Sequence, residues 1–171
     1  MPSNPERTAT TKTALLAAAT NLLRSRGIAA LTLQGVAQHA GISKGALTHH
    51  YPSKEALLSD LLEHHLNAFN ATLQATQAPF AVAYVRHGTH DGSRGLALGL
   101  IAALVLNPDV LEIARSYATR WQEATPSTDA LVARLATDGL WLADVLDLPS
   151  APPELHAQLL TRLEELAGGS E

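Results

Sequence analysis

Residues Ser43-Lys44-Gly45-Ala46-Leu47-Thr48-His49-His50-Tyr51 carry a compact set of groups able to bond a polyanion. Leu47 and Tyr51, four apart, form the apolar stripe of a short helix. Lys44, Gly45, Thr48 and His49 then fall on its outward side. One cation, a glycine that lets another surface approach, a hydroxyl and an imidazole suit the phosphates and base edges of a duplex major groove. A helix this short is unstable alone, so neighbouring elements must hold it.

Those neighbours are marked in the sequence. Thr32, Ser43 and Ser53 are each placed to cap a helix, with the side-chain oxygen accepting from a free N–H of the first turn. Leu31 with Val36, and Ile42 with Leu47, have the spacing of hydrophobic staples around the first two caps. Gly27 and Gly41 suit left-handed stops after the first and second helices, and Pro52 ends the third. The second helix, with Val36, Ala37 and Ala40 inward, would cross a nucleic-acid backbone, and the N–H groups opening the second and third helices would face an anion. Gly35, inside the second helix, is expected to weaken it by about 0.5–1 kcal/mol relative to Ala. Capped turns of this kind also occur in plain three-helix cores, so the surface groups must carry the argument.

Along the whole chain, apolar residues recur at intervals of three and four, as in Leu57, Leu58, Leu61, Leu62, Leu66 and Phe69. That is amphipathic-helix spacing, and no segment alternates with period two. The pattern and its breakers predict an all-α fold of about nine helices, near 8–26, 33–40, 44–51, 54–77, 80–87, 94–106, 108–122, 127–146 and 152–167. The same breakers suggest a division between a head, 1–53, and a longer helical body, 54–171.

Apolar residues make up 46% of the 171 residues and aromatics only 4%, so the core must be chiefly aliphatic. With no cysteine, disulfides and thiolate metal or redox sites are excluded, and a cytoplasmic location is expected. Met1–Pro5 lacks a secretory apolar stretch, and Gly95–Leu106 is too short to span a bilayer, so no membrane association is expected. The net charge of −4 is unevenly distributed: residues 1–54 sum to +5 and residues 55–171 to −9. A basic head on an acidic body is the charge layout of a phosphate-binding module joined to another function.

The stretch from Leu31 to Leu57, LTLQGVAQHAGISKGALTHHYPSKEAL, resembles the DNA-binding domain of the tetracycline-repressor (TetR) family. The resemblance extends back to Ile28 and covers about a third of the chain. It implies a double-stranded DNA operator as partner, with Ser43, Lys44, Gly45, Thr48, His49 and His50 at the groove. Lys54 and Thr32 would then lie on phosphates. Thr48 stands where the family often has Tyr, which removes an aromatic contact and leaves base preference there open.

The body is also similar to small regulators of this family that respond to hydrophobic compounds, through Ala136–Asp144, the Pro-rich turn and the last helix. That resemblance implies a homodimer through the helices near 127–146 and 152–167, and a palindromic operator from which a small hydrophobic or aromatic effector releases a repressor. Phe80, Tyr84, Tyr117, Trp121 and Trp141, with Asp138 one turn from Trp141, are the candidate ligand-binding residues. Aromatic walls around a carboxylate would suit a flat molecule, including a cationic one; plain core aromatics would read the same. No catalytic residue and no cofactor are expected, since neither a nucleophile–base pair, a Glu-x-x-His pair nor a phosphate-cradling glycine loop occurs. His64 with His65, and His87 with His90 and Asp91, are weak metal candidates, and no metal site is assigned to them. The alternative to an effector-controlled regulator is a helical metal-binding or architectural DNA-binding protein without an inducer.

Overall fold

The computed structural model describes residues 4–88 and 94–169, and among them every regular element is helical. In chain order these are α1 (Asn4–Arg26), a 3₁₀ turn (Ile28–Ala30), α2 (Leu33–His39), α3 (Lys44–His50), α4 (Lys54–Gln74), α5 (Phe80–Gly88), α6 (Arg94–Leu106), α7 (Pro108–Glu123), α8 (Thr128–Leu146) and α9 (Pro153–Gly168). The order matches the periodicity, with three differences. α1 begins four residues earlier than residue 8, with Pro5 in its first turn, where a missing N–H costs nothing. The 3₁₀ turn after Gly27 is an added element. α4 stops at Gln74 and not near 77, because the Thr76 hydroxyl bonds the Leu73 carbonyl and Pro79 lies ahead.

The chain packs as two units. The first comprises residues up to 65 with 95–114, the second 66–94 with 115 onward. This packing division is a different cut from the one expected at residue 53, since α4 is shared and α6 belongs largely with the head.

In the first unit, Leu15, Leu23, Leu31, Val36, Leu47, Leu57 and Leu61 are sealed from solvent. Burial of each such side chain contributes about 1.5–3 kcal/mol. α6 lies against the end of α1 through its small residues. A Cβ on Gly95 would sit 2.8 Å from the Arg24 carbonyl oxygen, and one on Gly99 would sit 2.8 Å from Leu23 Cδ2. The helices therefore meet backbone to backbone at Gly95 and backbone to side chain at Gly99, and no larger residue fits without movement.

In the second unit, α5, α8 and α9 pack around Ala81, Val82, Val85, Ala130, Ala133, Leu163 and Ala167. Ser127 caps α8, accepting from the Ala130 N–H at 3.2 Å. The opposite side of α8 carries Val132, Leu135, Gly139, Leu142 and Leu146, a three-four repeat of apolar and small residues that stays exposed.

Candidate functional site

All three expected caps form. Thr32 Oγ1 accepts from the Gly35 N–H at 2.9 Å, Ser43 Oγ from Ala46 at 3.1 Å, and Ser53 Oγ from Ala56 at 3.1 Å. Gly27 and Gly41 both have positive φ, +71° and +70°, which glycine adopts without strain. Gly35 sits directly beneath the first of these caps. A Cβ there would lie 3.1 Å from Thr32 Oγ1 and 3.2 Å from the Ala30 carbonyl, so glycine leaves room for the cap. Replacing it with Ala would need those groups to give by a few tenths of an ångström, which opposes the propensity gain.

α3 turns Leu47 and Tyr51 inward, both nearly sealed from solvent. The Tyr51 hydroxyl donates to Asp60 Oδ2, and Lys12 Nζ stands 2.9 Å from Asp60 Oδ1. One carboxylate on α4 thus fastens both the end of α3 and the side of α1. Burial, reinforced by that carboxylate, holds the Tyr51 phenol far above its ordinary pKa, so it remains a donor.

With the apolar stripe fixed, Ser43, Lys44, Gly45 and His49 are exposed, while Thr48 and His50 are half-buried. Thr48 Oγ1 donates to the Gly45 carbonyl at 3.1 Å, which sets its rotamer. Among the described residues a Cβ on Gly45 would meet only Ser43 Oγ, at 4.0 Å, so none of them requires glycine there. Lys54, at the start of α4, borders a surface recess of about 170 Å³ together with Ile28, Glu55, Leu58, Ala103, Leu106 and Asn107. Glu55 is held below its usual pKa by its own backbone amide and by the Ser53 hydroxyl.

The second unit gathers five rings. Phe69 meets Tyr84 and Trp121 edge to face at 5.5 Å, Tyr84 meets Trp121 at 5.5 Å and Phe80 at 5.9 Å, and Tyr117 meets Trp121 at 6.0 Å. Such offset pairs are favoured by the ring quadrupoles. Two polar bonds anchor the cluster: Tyr84 Oη donates to Asp138 Oδ1 at 2.7 Å, and Tyr117 Oη donates to Asn67 Oδ1 at 2.5 Å. Arg134 Nη1 reaches Asp138 Oδ2 at 3.3 Å, one helical turn away. Burial raises the Asp138 carboxyl above the ordinary carboxylate range, against the lowering by Tyr84 and the Arg134 charge.

Residues 78–168 match the tetracyclin repressor-like C-terminal domain, and residues 15–61 match the tetR family of bacterial regulatory proteins. The chain belongs to the tetracycline-repressor family. It is 35% identical over 66 residues to the HTH-type transcriptional repressor KstR2 of Mycolicibacterium smegmatis, a match covering 39% of this chain and 32% of that protein. It is 41% identical over 61 residues to the HTH-type transcriptional regulator EthR of Mycobacterium tuberculosis, covering 36% of this chain and 28% of that protein. The match therefore spans about a third of the length of these curated relatives. Among solved structures, the multidrug binding protein EbrR complexed with ethidium has a TM-score of 0.69 at 21% identity, covering 90% of this chain and 98% of that one. That likeness is one of fold.

Within this TetR-family fold, Phe80, Tyr84, Tyr117 and Trp121 come together and Asp138 joins them through Tyr84. Trp141 does not: it is half-buried and makes no ring contact among the described residues. Asp138 itself is held by Tyr84 and Arg134. Three participants were missing from the sequence-based set. Phe69 was visible only as part of the α4 apolar stripe, Asn67 gave no signal, and Arg134 was signalled by its i, i+4 spacing to Asp138.

No group of three metal-ligating side chains occurs among the described residues. His65 Nε2 bonds Thr20 Oγ1 at 3.0 Å while His64 is exposed, and His90 and Asp91 lie outside the described residues. No single helix among the described residues is long and apolar enough to cross a membrane.

Proposed function

We propose that this protein is a homodimeric, cytoplasmic transcriptional repressor that binds a palindromic DNA operator and leaves it when a small hydrophobic or aromatic effector occupies the body. The observation that carries the DNA-binding half is Gly45, flanked by Lys44, Thr48 and His49 on the free side of α3, where none of the described residues requires glycine. A missing side chain beside a cation and two hydrogen-bonding groups supports close approach to a groove. In this reading Thr32 and Lys54 contact phosphates, Ser43 and His50 flank the groove-facing set, and Phe80, Tyr84, Tyr117, Trp121 and Asp138 line the effector site. Trp141, half-buried one turn from Asp138, completes the candidate set without a ring contact of its own among the described residues. The ethidium complex of EbrR supports effector binding in a body of this fold.

The exposed repeat Val132, Leu135, Gly139, Leu142 and Leu146 on α8 supports the dimer. Two such faces, together with α9, would build an antiparallel four-helix contact. A gel-shift titration at two salt concentrations tests the DNA reading, using the half-site selected from a random pool. Lys44→Ala should weaken binding tenfold or more, and Lys54→Ala should reduce the salt slope by about one ion. Undiminished binding by both variants would remove the head from this role. Sedimentation of Leu135→Glu should yield monomers, and an unaltered dimer would move the interface off α8.

A further inference from the structure

Arg134 is more than nine-tenths buried, yet its Nε–H has no hydrogen-bond partner among the described residues. Buried donors are almost always paired, so an orphaned one calls for an explanation. One terminal nitrogen of the guanidinium is engaged. Nη1 holds Asp138 Oδ2 at 3.3 Å, and the guanidinium carbon stands 6.0 Å from the centre of the Tyr84 ring. Asp138 accepts from Tyr84 on its other oxygen. Both carboxylate oxygens are thus occupied and the negative charge is balanced by Arg134. A cation entering beside these rings would find no uncompensated charge, whereas an oxygen acceptor would find an unfilled donor.

We propose that the Arg134 Nε–H anchors the effector through an accepting oxygen, so that the effector is a carboxylate or carbonyl on a flat apolar skeleton. This rests on the effector-controlled reading above and specifies its ligand. The rings of Phe69, Tyr84 and Trp121 supply the apolar wall, and Arg134 supplies the one directional bond. Asp138 and Tyr84 are positioning residues that hold the guanidinium in place. Arginine suits the role because it can keep Asp138 on one nitrogen while offering another to the ligand.

The test uses the full chain and four probes of one shape: 1-naphthoate, 1-acetonaphthone, naphthalene and 1-naphthylmethylammonium. Calorimetry should give at least tenfold tighter binding for naphthoate, acetonaphthone or both than for naphthalene, and the two oxygen probes separate an anionic from a neutral effector. Arg134→Lys keeps the charge beside Asp138 but loses Nε, and should abolish that advantage while naphthalene affinity stays within twofold. If that variant fails to fold, the unaltered protein still decides the matter. The ¹⁵N-labelled Arg134 Nε–H resonance should shift with the favoured oxygen probe and not with naphthalene. Equal affinities, a preference for the ammonium, no binding by any probe, or an unmoved resonance would overturn the proposal. Operator release by naphthalene or the ammonium, without an oxygen advantage, would leave effector control standing and remove Arg134 from it. Failure of the chain to bind any operator would strike the regulatory reading and leave these affinities as they are.

Discussion

The head and the aromatic cluster place their polar groups by different means. In the head, each cap bonds an amide three residues away, at Thr32, Ser43 and Ser53, and the exposed face follows from where those helices begin. In the cluster, Tyr84 reaches Asp138 across 54 residues of sequence, and Tyr117 reaches Asn67 across 50. A locally encoded surface can be read from spacing. A site assembled across long separations exists only once several helices have packed.

The largest expected effect breaks this contrast at its simplest point. Leu47→Ala removes a fully buried side chain from α3 and should cost about 2–5 kcal/mol of stability, together with loss of operator binding. Urea unfolding measures the first. If the head depends only on its own packing, the near-ultraviolet circular dichroism of the ring cluster should persist in the variant before unfolding. Collapse of both signals together would show that the contrast does not extend to stability.

Gly95→Ala tests the exception within the head. The added Cβ meets the Arg24 carbonyl at 2.8 Å, a rigid backbone atom, so a loss of about 1–3 kcal/mol is expected in urea unfolding. A neutral result would mean that α6 can shift away from α1 at little cost.

The smallest effect concerns pH. Burial makes the folded chain hold the Asp138 proton more tightly than the unfolded chain does. Stability is therefore lost as pH rises from the ordinary carboxylate range through that raised value. Asp138→Asn removes this ionisation, so its unfolding free energy relative to the parent should climb across that window and then level off. A relative stability that falls with pH would reverse the sign and place a stabilised carboxylate at this position.

Much of this was legible beforehand, and for identifiable reasons. Thr32, Ser43 and Ser53 announced helix starts because a cap needs only its own next turn, and the inward pair Leu47 and Tyr51 fixed what remained outside. What surrounds Gly35 was not legible, because propensity counts backbone freedom and ignores neighbours, here the Thr32 hydroxyl and the Ala30 carbonyl. Trp141 shares the α8 face of Asp138, but a shared face shows only that two residues are neighbours and not which ring from another helix will meet them, and the one that reaches Asp138 is Tyr84. Asn67 was invisible because an asparagine on a helix face looks solvated until a tyrosine hydroxyl 50 residues on finds it.

The seat of α6 on α1 has a consequence for how the chain is made. The residues that would read DNA leave the ribosome ahead of Gly95 and Gly99, which close over Leu23 and Arg24 and emerge only after some thirty further residues beyond α4's share of the head. At about 5–20 residues per second, that gap leaves the nascent head uncovered for seconds. During synthesis Leu23 is therefore open to chaperones and to neighbouring chains, and the head becomes a finished object only when the chain returns to it.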